Sequence, residues 1–167
     1  VLEDYLLGTL PALEEERLEG HLFACAICSA MAEQVAGLAL AIRGAVPPIL
    51  ARSRFEALER EGRISQVTTL DPGQAIEVVF PPADRLLVHR LRAGDLATAD
   101  HVDVSVRSMS GETVTRFEGV PFDAGRGEVL VACQRHFAEL FPLDIVLTVE
   151  VSRPATRVCE YTVRHRL

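Results

Sequence analysis

His21-Leu22-Phe23-Ala24-Cys25-Ala26-Ile27-Cys28 places three metal-ligand side chains within one short stretch near the N-terminus. His21 and Cys25 are four residues apart, so a helical turn brings them to one side. Cys28 follows three residues later. A Cys-x-x-Cys at the start of a helix lies beside backbone N–H groups that have no partner within the helix, and these favour thiolate. Alone, such a pair is ambiguous between a metal clip and a redox dithiol. Histidine one turn earlier moves the reading to zinc, held by His21, Cys25 and Cys28. Structural zinc takes four protein ligands, and only three lie close together in the chain. Glu3, Asp4 or a residue upstream of Val1 is the expected fourth. Oxidation of the two thiols would destroy two ligands, so a redox-sensing role stands beside a purely structural one.

Outward from this stretch, the flanking pattern is helical. Leu2 to Leu7 reads as part of a helix ended by Gly8. Thr9 offers an N-cap and Pro11 sits in the first turn of a second helix, with Glu14, Glu15 and Glu16 near its positive end. A third helix begins near Cys25 and carries the apolar stripe Ile27, Met31, Val35, Leu38 and Ile42. It ends near Gly44, and Pro47-Pro48 breaks the chain. Ile49 to Glu61 is expected to be a fourth helix with Leu50, Phe55 and Leu58 on its apolar side, closed by Gly62.

After Ile64 the period changes to that of strands. They are expected at about 65–70, 75–80, 85–91, 101–108, 113–118, 128–133, 144–151 and 157–166. Val102, Val104 and Val106 alternate with Asp103, Ser105 and Arg107, the pattern of a half-buried strand. Asp71-Pro72-Gly73 and Ser110-Gly111 are turns. Residues 136–141 suit a single helical turn. With no βαβ repeat, the expected fold is α+β. A small helical zinc-binding domain (1–46) leads through a linker and fourth helix (47–63) into an antiparallel β-sandwich, immunoglobulin-like, or a small barrel (64–167). Leu86, Leu87, Val88, Leu147 and Val149 are among its expected core.

Composition limits the partners. The net charge is −7, and all 17 basic side chains are Arg. The first 60 residues hold 9 acidic and 5 basic groups, so no cationic platform for nucleic acid exists there. An acidic protein suits a basic protein partner. The longest apolar stretch, around Val35 to Pro48, is interrupted by Gly37, Arg43 and Gly44, too short to span a bilayer. No signal peptide is visible, and a cytoplasmic location is expected. Cys133 and Cys159 read as buried thiols. His89, His101, His136 and His165 are far apart in sequence; a barrel could bring them together, and surface or core roles are the expected ones. Cys133 and His136 lack an orienting partner for nucleophilic catalysis, and Gly125-x-Gly127 reads as a turn, not a phosphate loop. No enzyme is expected.

The segment Leu2-x-x-Tyr5-Leu6-x-Gly8-x-Leu10, followed by Glu14-Glu15-x-Arg17-x-Glu19-x-His21-Leu22-x-x-Cys25-x-x-Cys28, resembles the zinc-associated anti-sigma domain of regulators of extracytoplasmic-function sigma factors. The likeness runs from about Leu2 to Gly62. It implies His21, Cys25 and Cys28 as zinc ligands, with the remaining ligand upstream of Val1. It also implies that three helices pack on a sigma factor while the fourth, with Leu50, Phe55 and Leu58 as knobs, lies along another sigma region and blocks binding to core RNA polymerase; the other reading of those three side chains packs them on this chain's own β domain. The alternatives are a zinc-containing adaptor for another protein and, behind it, a metal- or thiol-dependent enzyme. The β domain is open to sensing a ligand, binding a second protein or forming a homodimer.

Overall fold

The computed structural model describes residue 5 and residues 10–94, 96–138, 142–152 and 156–167. The chain divides into two compact units, Val1–Ala45 and Val46–Leu167. Among the described residues no helix is long and apolar enough to cross a membrane.

The first unit contains α1 (Ala12–Ala24) and α2 (Ala26–Gly44). Thr9 and most of the segment before it lie outside the described residues. Pro11 stands just ahead of α1 rather than within its first turn, and its carbonyl accepts from the N–H groups of Glu14 and Glu15. Tyr5 donates its hydroxyl to Glu19 of α1 at 3.2 Å. Helix α1 buries no residue, and no described side chain of α2 is buried either. Burial of apolar area is the main source of stability in a folded domain, and the described side chains of these two helices supply little of it.

The second unit is a sandwich with a helix on its outside. Strand β1 (Ile49–Leu50) is followed by α3 (Arg52–Arg60), β2 (Gln66–Leu70), β3 (Ala75–Val79) and β4 (Leu86–Arg92). After a short 3₁₀ turn come β5 (His101–Ser108), β6 (Thr113–Phe117) and β7 (Glu128–Gln134). The single turn α4 (Arg135–Ala138) leads to β8 (Asp144–Ser152) and β9 (Arg157–Arg166). One sheet has the order β1-β7-β4-β2 and the other β3-β9-β8-β5-β6. The molecule is thus α+β with a two-sheet sandwich, and the sheets do not close into a barrel.

Two features depart from the expected antiparallel pattern. The Asp71–Gln74 turn, with Gly73 at φ +80°, carries the chain from one sheet to the other without a hairpin reversal. As a result β2 pairs parallel with β4, and β3 pairs parallel with β9. The other departure is Ile49–Leu50, which forms a short strand antiparallel to β7 instead of the first turn of a helix.

The four-stranded sheet is covered on both faces. Leu87, Leu91, Val129 and Val131 point into the sandwich against Val104, Leu147, Val149, Tyr161 and Val163. Leu86, Val88, Leu130 and Ala132 point outward and pack with Leu50, Phe55 and Leu58. Burial on both faces explains why β4 and β7 are nearly continuous apolar runs. Helix α3 ends in a Schellman motif: Gly62, at φ +65°, donates to the Glu59 carbonyl, and Arg63 donates to that of Leu58.

Leu50, Phe55 and Leu58 are therefore corrected as partner-facing knobs. Their exposures are 1%, 0% and 0%. The amphipathic face of α3 found its apolar counterpart on the sheet of its own chain, and residues 47–63 belong to the second unit.

Asp103 and Ser105 were expected on a solvent face but are buried. Asp103 accepts from the Gly119 N–H at 2.9 Å and from Arg116 at 2.8 Å, and His101 Nε2 lies 2.7 Å away. Burial works to raise this carboxyl. The Gly119 N–H, Arg116 and His101 outweigh it and hold the pKa below the ordinary 3.8. A depressed carboxyl stabilises the fold above its unfolded pKa, and the stabilisation is lost as pH falls through 3.8 toward the folded value. Asp103→Asn should cost about 1–3 kcal/mol at neutral pH. Chemical denaturation should show that penalty shrinking below pH 3.8. A penalty that stays constant into acid would refute this account.

Candidate metal centre

The junction between α1 and α2 builds the site. His21 lies in the last turn of α1, and its carbonyl accepts from the Cys25 N–H at 2.9 Å. Cys25 leaves the helix, with φ −120° and ψ 101°, and separates the two helices by one residue. It occupies the N-cap position of α2, where Ser or Asp would ordinarily sit. Cys28 falls in the first turn. The ligand atoms of His21, Cys25 and Cys28 all lie within 4.8 Å of one another. Among the described residues this is the one group of three such side chains gathered so closely.

The two thiols are not equivalent. The Cys28 backbone N–H, then the Cys28 thiol and the Ile27 N–H, hold Cys25 below its ordinary pKa. The same sulfur–sulfur contact pushes Cys28 up. A cap made by Cys25 thus favours its thiolate, the form that binds metal. Cys28 donates to that sulfur and gains no comparable help.

The donor set suits a tetrahedral ion. Metal–sulfur bonds of ~2.3 Å and metal–nitrogen bonds of ~2.0–2.1 Å place neighbouring ligand atoms roughly 3.3–3.8 Å apart. A group already within 4.8 Å reaches this by rotamer adjustment. His21 is exposed and both sulfurs are part-exposed, so one side is open to a further ligand. Glu3 and Asp4, named from sequence for that position, lie outside the described residues.

The remaining candidates do not join this group. His101 pairs with Asp103 on the second unit, and His136 sits exposed in α4. Burial pushes the Cys133 thiol up to about 11, the wrong direction for a nucleophile. Cys159 is buried as expected. His89 and His165, far apart in sequence, meet between the two sheets with their Nε2 atoms 3.3 Å apart. Seventy-six residues separate them in the chain. The available signal was parity: each shares its strand face with inward apolar residues, Leu87 and Leu91 for His89, and Tyr161 and Val163 for His165.

Comparison with known proteins adds to this geometry. Residues 2–29 match the family described as "Putative zinc-finger". No curated protein matches the chain. Among solved structures, CopC from Methylosinus trichosporium OB3b is similar at 19% identity, over 55% of this chain and 84% of that one, with a TM-score of 0.31. The Dpr1 IG1 domain complex with DIP-eta IG1 is similar at 6% identity, over 72% of this chain and 91% of that one, with a TM-score of 0.31. At those scores neither likeness bears on fold or function. The match and the ligand geometry fall on the same residues: the segment 2–29 is similar to the zinc-finger family, and within it His21, Cys25 and Cys28 lie together.

Proposed function

We propose that this chain is a cytoplasmic anti-sigma factor. Its first unit holds Zn2+ through His21, Cys25 and Cys28 and binds an extracytoplasmic-function sigma factor, keeping it from core RNA polymerase. Its action is binding, not catalysis. The observation that carries the reading is the apolar stripe beside the ligand group. Phe23, Ile27, Met31 and Val35 are 91%, 77%, 56% and 36% exposed. Ile27, Met31 and Val35 recur every four residues along α2, so they share one helix face. Large apolar side chains in a row at this exposure favour a groove on another protein. The sigma-facing surface is therefore assigned to α1 and α2, not to α3.

Co-expression with an extracytoplasmic-function sigma factor from the same genome should give a one-to-one complex containing about one zinc per chain. Ile27→Asp with Met31→Asp should abolish copurification while leaving zinc content unchanged, because neither side chain is a ligand. Zinc-loaded wild-type protein that captures no sigma factor would sink the reading.

A second reading has an observation of its own. Phe55 and Leu58 are spent on the second unit, as expected if helices brace the sandwich in a zinc-containing adaptor for a different protein. The two readings part in the same experiment. An adaptor keeps the stripe-dependent binding but with a partner other than a sigma factor.

A further inference from the structure

His89 on β4 and His165 on β9 are 1% and 2% exposed, and they come from opposite sheets. Their outer partners fix how the protons are shared. His165 Nδ1 faces the Leu143 carbonyl at 3.1 Å, so it carries a hydrogen and donates. In a neutral ring Nε2 is then bare, and it accepts from His89 Nε2–H at 3.3 Å. His89 Nδ1 is left to accept from the Thr68 hydroxyl at 2.6 Å. All four ring nitrogens are engaged, so neither ring has a hydrogen bond left to offer. Burial, reinforced by the neighbouring imidazole, pushes His89 down to about 3, and burial lowers His165. Both rings are therefore neutral at neutral pH.

The two rings form part of the wall of a cavity of about 250 Å³. Val106 of β5, Phe117 of β6, and Ile145 and Leu147 of β8 line it from one sheet, and Val131 of β7 from the other. Val106, Phe117 and Ile145 are only half-buried, so apolar surface there is left uncovered. Pro48 and Pro142 are exposed, so the cavity runs from solvent to the rings. Among the described residues no Asp, Glu, Lys or Arg lines it. The polar groups besides the imidazoles are the Thr115 hydroxyl and the Cys133 thiol. Burial pushes that thiol up to about 11, so it too is uncharged. Water in such a space finds few partners, and an apolar group displaces it at a gain. A charged ligand would lose its hydration with nothing to replace it. An apolar cavity of ~150 Å³ takes one benzene, and this one is larger. Its imidazole and phenyl rings suit the edge and face contacts of a further aromatic ring.

We propose that this cavity is a binding site for a small uncharged aromatic molecule of one or two rings, held by apolar contact with the sandwich interior and with the two histidine rings. The ligand enters past Pro48 and Pro142. It offers no group that competes with the histidine hydrogen bonds, so these stay intact and no proton moves. Selectivity comes from shape and from the absence of charge: a carboxylate on the same ring has no partner in the wall and is rejected. Every lining residue belongs to the second unit, so the site does not depend on what the first unit binds.

The test titrates the full chain with p-xylene, with benzoate as the charged counterpart, and follows side-chain methyl resonances. Those of Val106, Ile145 and Leu147 should shift saturably with p-xylene, and benzoate should bind about tenfold more weakly or not at all. Ring ¹⁵N shifts of His89 and His165 should keep their neutral tautomers throughout. Thr115 stands opposite Val106 on the edge strand β6, which makes it the least disruptive place to fill the cavity. Thr115→Phe should weaken p-xylene binding about tenfold or more by occupying the space, while Thr115→Val, which keeps the shape and removes the hydroxyl, should leave it unchanged. The thermal transition of the second unit shows that each variant is folded. Methyl resonances unmoved by p-xylene up to its solubility limit would overturn the site in the wild-type chain, with no substitution needed. Benzoate binding as tightly as p-xylene, or a folded Thr115→Phe chain that binds p-xylene like the wild type, would overturn it equally.

Discussion

Removing zinc should unfold the first unit and leave the second folded. Neither α1 nor the described side chains of α2 supply a buried residue, and isolated helices of 13 and 19 residues are marginal in water. A structural zinc is worth roughly 10–16 kcal/mol in apparent binding free energy at neutral pH. That exceeds anything else these helices offer. Cys25→Ser removes the thiolate at the N-cap of α2, and Cys28→Ser removes its partner. Either should lower zinc content from about one per chain to near zero and erase the helical signal of residues 12–44. His21→Ala should weaken binding less, since the paired sulfurs persist. The second unit has its own core, so its thermal transition should survive chelation unchanged. Circular dichroism with zinc quantification, followed over a chelator titration, checks this. Helicity that persists without metal would show that the helices have another source of stability. The same measurement bears on sensing: an oxidant that releases zinc and partner together would make Cys25, the more thiolate-like sulfur, the point of attack.

How far the sequence reached depends on the range of each interaction. Strands β2 to β9 were legible because apolar patterning and turn residues are local, and their boundaries fall within a residue or two of those expected. The metal ligands were legible for the same reason, since all three lie within two helical turns. Pairing direction was not legible. Nothing in Gln66–Leu70 or Ala75–Val79 says whether a neighbour runs parallel, because that depends on where the Asp71–Gln74 turn sends the chain. Asp103 looked solvent-facing because alternation cannot foresee Arg116 and Gly119 arriving beside it. Ile49–Leu50 looked helical because the spacing of Leu50, Phe55 and Leu58 extends the apolar face of α3 backward. In the structure Ala51 is extended and α3 begins only at Arg52. The clue that α3 folds onto its own chain was present in Leu86-Leu87-Val88 and Val129-Leu130-Val131-Ala132. An apolar run without alternation needs cover on two faces, and α3 supplies the second.

Phe55 is where this difference is measurable. If its ring were a knob for another protein, Phe55→Ala would leave the stability of the free chain within about 0.5 kcal/mol, as surface substitutions do. The structure instead buries it completely, in a cluster with Val88, Leu130 and Leu58. The guanidinium carbons of Arg90 and Arg52 stand 4.9 and 5.2 Å from the ring centroid. Truncation removes the ring from a packed site and strands two cations over the gap. The expected cost is about 3–5 kcal/mol, which for a unit of this size lowers the melting temperature by about 10 °C or more. Phe55→Leu should recover much of that loss, because the contact is mainly apolar. At a temperature where the variant remains folded, partner binding through Ile27 and Met31 should be unchanged, since those residues lie on the other unit. A Phe55→Ala chain that melts like the wild type but loses its partner would return this helix to the interface. A chain that melts early and still binds would fix α3 as the outer cover of the sheet, and leave α1 and α2 to do the binding.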